Sequence, residues 1–345
     1  MREYSNKIYR IKKDLKIYES LNGKTWKKSC IKFPEAIEVI KLFKQHKRFN
    51  ELIDKKNPEF LKGQFFKRKP QGARINILPN GKKLDKAFSL FSPKLTINDE
   101  DSFCHWDVIY QNPNKQLAYV YTIEKDIKSK KEKYNRVEKF KKILPILRKN
   151  LEKNIGKENI VIPMIILLKT CMRVGNEIYY KKNNHKGLTT LKKKDISIKG
   201  KFITFDYIAK DGVPQKITEE FSLKLISEFK KLLKLKKQND FVFTSRNNHP
   251  YKDTEFKTAF KKFCGKEFYP HIVRSYYATN KVNEFIIKNK HPTKEQIKEL
   301  YINIAEKLGH KKFSKKKNCW EDSYQVTIAH YIRPELVTKI NSIVN

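Results

Sequence analysis

Met172-Arg173-Val174-Gly175-Asn176-Glu177, followed a few residues on by Gly187-Leu188-Thr189-Thr190-Leu191, is the stretch on which the reading of this 345-residue chain turns. Just upstream, apolar residues crowd 160–168 too densely for a surface element, and a buried helix is predicted over 160–173 with Arg173 at its end. That apolar run is about half a membrane span and contains Pro163, so it reads as core. Downstream, 201–208 alternates as a strand, turns at Asp211-Gly212 and returns from Val213 to Ile217, which makes a hairpin with Lys210 at its tip. Val137, Phe140, Ile143, Leu144 and Leu147 recur at helical spacing before the apolar helix. Helices resume from about 219 to the end, interrupted by a basic, irregular stretch at 311–318.

Residues 1–125 have a different texture. Asn22-Gly23 and Asn80-Gly81 sit between strand-compatible residues and read as tight hairpin turns. Ala118-Tyr119-Val120-Tyr121-Thr122 alternates, which puts both tyrosines on one face of a strand. The charged run Lys125-Asp126-Ile127-Lys128-Ser129-Lys130-Lys131-Glu132 then reads as a linker. The fold class is α+β: a small N-terminal domain with β-structure over 1–125, and a mainly α-helical domain with a small antiparallel sheet over 126–345. No internal repeat is visible.

Hydrophobic residues make up 39% and aromatics 12%, enough for a packed core, while 77 Lys+Arg against 37 Asp+Glu leave a net charge of +40. The Lys-, Asn- and Ile-rich usage of an AT-rich genome inflates that figure. Its sign still calls for a polyanion, and nucleic acid is the obvious one. The five cysteines lie far apart with no C-x-x-C pair, against a zinc ribbon or disulfide framework and for a reducing compartment. The N-terminus carries no apolar signal region, so the expected setting is intracellular, with genomic DNA and no membrane. Gly23-Lys24-Thr25 imitates the end of a P-loop, but Tyr18 stands where the upstream glycine belongs. Asn98-Asp99-Glu100-Asp101 is contiguous between turn signals and reads as a solvated loop. The eight histidines have no ligand spacing, so no metal is expected.

The opening motif, with Gly187-Leu188-Thr189-Thr190-Leu191 leading into the sheet, resembles the start of the catalytic core in type IB DNA topoisomerases, particularly the compact bacterial and poxvirus forms. Further matches follow in the family's order. Lys210 occupies the hairpin tip where the family places its catalytic lysine. Arg274 in His271-Ile272-Val273-Arg274-Ser275-Tyr276-Tyr277 resembles the second arginine motif, and Leu308-Gly309-His310 the segment of the third transition-state residue. Tyr331 in Tyr331-Ile332-Arg333-Pro334 resembles the nucleophile motif, and Lys133-Tyr134-Asn135-Arg136 the opening of the first core helix. The resemblance covers the chain from about 106 onward. It implies a monomeric two-domain clamp on duplex DNA that needs neither metal nor ATP. It also implies Arg173, Lys210, Arg274, His310 and Tyr331 as the catalytic set, and Tyr119, Tyr121, Tyr134, Arg136 and His271 as DNA contacts.

The chemistry asks for these residue types. A phenol, with a pKa of about 10, can attack phosphorus and keep the 3′ phosphate as an ester, so the bond energy is retained for resealing. Guanidinium groups fork onto two phosphate oxygens, a lysine can protonate the departing 5′ oxygen, and a histidine adds another hydrogen bond.

Two departures from the pattern are plain. His310 and Tyr331 stand further apart than in compact relatives, so 311–325 reads as a basic insertion, a short linker over the rotating duplex. Tyr324 falls inside this interval as the rival nucleophile, nearer His310 but without the following proline. His271 gives H-x-x-R, typical of tyrosine recombinases, which keeps a site-specific recombinase open as a second enzymatic reading. A basic architectural DNA-binding protein with decayed chemistry is the reading from another class, and the complete set of five residues argues against it.

Overall fold

The computed structural model describes residues 6–98, 106–113, 115–245 and 247–343. The acidic run at 99–101, Cys104 and the opening five residues lie outside the described residues. By its internal contacts the chain divides into two units, one up to Glu132 and one from Lys133.

The first unit is built on short antiparallel strands. β1 (Ile8–Ile11), β2 (Ile17–Ser20), β3 (Lys27–Lys28), β4 (Gln64–Phe66) and β5 (Lys69–Gln71) form a sheet in the order β3-β2-β1-β4-β5. β6 (Ile75–Ile77) pairs with β7 (Lys83–Phe88), and β8 (Thr96–Ile97), β9 (Val108–Gln111) and β10 (Leu117–Val120) make a third sheet. Both Asn-Gly turns fall where expected, between β2 and β3 and between β6 and β7. The helix α1 (Pro34–Gln45) presents Ala36, Val39, Ile40 and Phe43 along one face, and these join Tyr9, Ile11, Phe88 and Val108 in one core.

The second unit is mainly helical. α2 (Ile123–Lys153) starts before the boundary between the units, so the 125–132 run predicted as a linker is helix instead. Its acidic first turn (Glu124, Asp126) and the Asp126–Lys130 pair four residues apart favour helix over extended chain. α3 (Val161–Thr170) and α4 (Glu177–Asn183) precede a three-stranded antiparallel sheet of β11 (Ile196–Lys199), β12 (Phe202–Ile208) and β13 (Pro214–Glu220). The β12–β13 register, from Phe202 opposite Glu220 to Ile208 opposite Pro214, leaves a loop at 209–213, as the alternation predicts. Then come α5 (Leu223–Lys234), α6 (Asp253–Cys264), α7 (Ile272–Lys288) and α8 (Lys294–Lys307). The 311–325 interval, expected as an irregular linker, is instead largely an ordered hairpin of β14 (Lys311–Ser314) and β15 (Cys319–Asp322). α9 (Gln325–Tyr331) and α10 (Pro334–Ser342) follow, separated where Pro334 begins a new helix and cannot extend the old one. No helix among the described residues is long and apolar enough to cross a membrane.

The core of this unit centres on aromatic rings. Phe140 of α2 is fully buried and meets Phe268, Tyr276 and Phe260 edge-on at 5.2, 5.5 and 6.0 Å. Phe140→Ala is expected to cost about 3–5 kcal/mol, the usual range for emptying a buried phenylalanine site. A fall in the urea midpoint with an unchanged m value would show it; a loss below about 1 kcal/mol would mean that the cluster collapses to fill the gap.

Candidate active site

Arg173 is positioned by a pair of glycines. α3 stops at Thr170 because Cys171 adopts a left-handed conformation (φ 57°), so Arg173 lies beyond the helix end and not within it as predicted. The segment 172–176 has no regular secondary structure and lies against the 187–190 turn, with Leu188 N–H donating to the Arg173 carbonyl (2.8 Å) and Thr189 N–H to that of Val174 (2.7 Å). This approach needs glycine on both sides. A Cβ on Gly187 would stand 2.6 Å from the Gly175 Cα and 2.7 Å from the Arg173 oxygen, and Gly175 itself has φ +99°. Asn176 then caps α4, its side chain accepting from Ile178 and Tyr179 N–H.

Arg274, in the first turn of α7, is 2% exposed. Its guanidinium donates to the carbonyls of Cys171 (2.7 Å) and Leu308 (2.8 Å) and to His310 Nε2 (3.0 Å). Cys171 and Leu308 are the C-caps of α3 and α8, so two helix C-termini, each carrying partial negative charge, converge on one buried cation. No carboxylate pairs with Arg274 among the described residues, and its Nε is buried without a partner. Burial pushes its pKa down, opposed by the Tyr331 phenol beside it.

The bond from Arg274 also fixes the protonation state of His310. An arginine can only donate, so Nε2 accepts and the proton sits on Nδ1, which donates to the buried Thr327 hydroxyl (2.8 Å). Burial, then Arg274 and Arg173, push the His310 pKa down to about 3. His271 is lowered by the surrounding protein and then by Arg274, Arg173, Lys133 and Lys210, but it is exposed, so water offsets more of the burial effect than at His310.

Tyr331 ends α9 with 3% of its surface exposed. Its ring centroid is 4.8 Å from that of His310 and 5.1 Å from that of His271, and the Arg274 Cζ lies 5.1 Å over it. Lys133 Nζ stands 5.7 Å above the same ring and donates to the His330 carbonyl, while the Thr279 hydroxyl donates to the Tyr331 carbonyl (3.1 Å). Arg173, Lys210, Arg274 and His310 line one cavity of about 130 Å³. The five residues expected to form the catalytic set are therefore brought together. Neither tyrosine is among the residues that line this cavity; Tyr331 packs against Arg274 and His310, whereas Tyr324 stacks on Tyr301 at 5.8 Å.

The residues expected to contact DNA are placed less uniformly. Tyr119 is exposed on β10 and Arg136 is exposed on α2. Tyr121 lies just past the end of β10, where its backbone exchanges hydrogen bonds with Asp85, and burial raises its phenol pKa. Tyr134 is 5% exposed and its hydroxyl donates to the Ile332 carbonyl (2.6 Å), so it ties down the segment after Tyr331 and does not face solvent. Lys133 and Thr327 were not singled out from the sequence. Lys133 sits inside a quoted motif and could have been found; a lone threonine after a hairpin gives no signal. Among the described residues no group of three or more His, Cys, Asp or Glu is placed to hold a metal ion.

A buried cation opening on a cavity, with further cations and a tyrosine around it, is a site suited to an anion. The sequence profile of the family described as "Eukaryotic DNA topoisomerase I, catalytic core" matches residues 122–331, and the chain belongs to that family. A comparison with curated proteins gives no match. Among solved structures, the XerH site-specific recombinase bound to difH in a pre-cleavage complex is similar, with 17% identity and a TM-score of 0.35 over 49% of this chain and 45% of that one. Its post-cleavage complex with palindromic difH gives 16% identity and a TM-score of 0.35 over 54% and 49%. The match thus spans about half the length of those recombinases, and family membership rests on the profile alone.

Two expectations follow from the geometry. Gly187→Ala forces Cβ against backbone and should cost about 1–3 kcal/mol, as overpacking does. A fall in the urea midpoint would show it, because the Arg173 segment has to shift; an unchanged midpoint in G187A would show that the close approach is dispensable. His310 makes stability depend on pH. Its folded pKa of about 3 lies below the ordinary 6.5, so the unfolded chain takes up a proton first. The contribution is complete above about pH 6.5 and is lost as the pH falls from there towards 3. Between pH 7 and 4 the wild type should lose more Tm than His310→Asn, and parallel losses would contradict a neutral buried imidazole.

Proposed function

We propose that this protein is a type IB topoisomerase, which relaxes supercoiled duplex DNA by cutting one strand through Tyr331, letting it rotate, and resealing it. The observation that carries this reading is Arg274, a buried guanidinium without a carboxylate, packed against a tyrosine and opening on a cavity shared with Arg173 and Lys210. A buried charge is costly unless something of opposite sign meets it, and a phosphodiester in the cavity would do so.

On this reading the Tyr331 oxygen attacks phosphorus, the bond to the 5′ oxygen breaks, and a 3′-phosphotyrosyl ester forms. The phenol proton leaves to water, and Lys210 supplies the proton that the 5′ alkoxide takes. Arg173 and the unspent donors of Arg274 meet the charge growing on the phosphate oxygens, where losing one such donor typically costs about 10²–10³ in rate. His310 acts first by holding Arg274, since its Nε2 is an acceptor while that bond lasts. For Nε2 to donate to phosphate, Arg274 must release it and the proton must move from Nδ1. Tyr331 is almost fully covered, so the arriving phosphate must also draw the phenol out of its packing. Resealing reverses the step, with the 5′ hydroxyl attacking and tyrosine leaving. The scheme draws on neither ATP nor a metal ion. Contacts with phosphates dominate binding, which should weaken steeply with salt, and a single chain suffices.

A site-specific recombinase is the second reading. It is favoured by His271, whose ring stands 5.1 Å from that of Tyr331 in the H-x-x-R arrangement. Such an enzyme would assemble as a multimer on paired sites and would leave a lone supercoiled plasmid unrelaxed.

The test is relaxation of supercoiled plasmid in EDTA without ATP, comparing wild type with Tyr331→Phe and Tyr324→Phe. Relaxation by wild type and Tyr324→Phe, with Tyr331→Phe inactive, is the expected result. Loss in Tyr324→Phe alone would move the nucleophile, and no relaxation by DNA-binding wild type would overturn the reading.

A further inference from the structure

Lys210 stands on the 209–213 loop between β12 and β13, and that loop has little of its own to hold it. Two hydrogen bonds close it, Ala209 N–H to the Val213 carbonyl (2.8 Å) and Gly212 N–H to that of Ala209 (3.1 Å). Asp211 and Gly212 are both left-handed (φ 65° and 81°), a conformation that Asp211 adopts only at some cost. The Lys210 side chain is exposed, and no hydrogen bond or ion pair fixes its ammonium among the described residues. A proton donor on so flexible a stem is effective only if its base is held.

Side chains from elsewhere in the chain lie beside the loop. A Cβ added to Gly212 would lie 3.9 Å from both Trp320 Cζ2 and His185 Nε2, so either side chain is within reach of the loop. Trp320 comes from β15 of the hairpin between His310 and Tyr331, and its indole lines the same cavity as Lys210. It is steadied by its cross-strand partner Phe313, whose ring meets it edge-on at 5.3 Å, while the β14–β15 ladder fixes its register.

We propose that Trp320 is a positioning residue for Lys210: the hairpin braces the lysine loop and so aims the ammonium at the departing 5′ oxygen. This rests on the reading of Lys210 as the general acid. It gives the hairpin a part in the chemical step, distinct from any contact that its lysine-rich tip makes with the duplex.

The test uses a duplex oligonucleotide whose scissile 5′ bridging oxygen is replaced by sulfur. A thiol has a pKa of about 8.5 and departs as thiolate, so this substrate needs no acid. Single-turnover cleavage would be measured on the oxygen and sulfur substrates for wild type, Lys210→Ala, Trp320→Ala, Trp320→Leu and Trp320→Phe, with DNA affinity measured alongside. Lys210→Ala should be slowed by about 10²–10⁴-fold on oxygen and only a few-fold on sulfur. Trp320→Ala and Trp320→Leu should be slowed by about 10-fold or more on oxygen, as a displaced catalytic group is, and recover to within a few-fold of wild type on sulfur. Trp320→Phe should retain most of the rate, with affinity unchanged throughout. Equal slowing of the Trp320 variants on both substrates, or no slowing on oxygen, would overturn the positioning role while leaving Lys210 as the acid. If sulfur fails to rescue Lys210→Ala itself, the acid assignment falls and the positioning role falls with it.

Discussion

The buried charge of Arg274 organises the second unit. Its guanidinium is held by the terminal carbonyls of two helices, α3 and α8, and by an imidazole, with no carboxylate among the described residues to neutralise it. Helix ends offer partial charge without a competing acid, so the cation is stabilised yet still able to bind an anion. An aspartate in their place would stabilise the folded chain and occupy the site. The same three bonds pin α3, α7 and α8 to a common point, so the packing of the unit and the electrostatics of its cavity have one cause.

The neighbouring groups conform to that charge. His310 is neutral because burial disfavours its charged form, the surrounding cations add to that, and a donor faces its Nε2; burial and the same cations lower His271. The result is a cavity whose charged lining is mostly cationic, with Asp211 as the acid among the lining residues, placed beside a phenol that would become negative on losing its proton. The glycine pair serves this arrangement by letting 172–176 and 187–190 run close enough for Arg173 to reach the same cavity.

Much of this was legible in the sequence because it depends on local pattern. The alternation at 201–208 and the Asp211-Gly212 turn place Lys210 on a hairpin tip without knowledge of the rest of the chain, and Pro334 marks the break after Tyr331. What was not legible depends on partners distant in sequence. α3 ends at Thr170 because Cys171 turns left-handed, and its carbonyl then faces an arginine about a hundred residues away; the apolar run alone predicts a longer helix. The resemblance marks Tyr134 as a DNA contact, and nothing nearby in sequence reveals that its hydroxyl meets Ile332. The 311–325 stretch reads as irregular because its lysines hide the alternation of a hairpin, and only the Phe313–Trp320 pairing across it reveals the strands. The 125–132 run is so charged that composition argues for a linker, while its i,i+4 pairing and acidic start support helix.

The tie between Tyr134 and the segment after Tyr331 bears on how the protein is made. Arg173, Lys210, Arg274 and His310 all leave the ribosome before α9, and Tyr331 joins them last, where Lys133 and Tyr134 hold the chain at His330 and Ile332. On the proposed reading, a chain stalled short of that clasp carries the anion pocket but not the group that breaks a strand. On that same reading the order of synthesis arms the protein last, and an unfinished copy would hold DNA without nicking it.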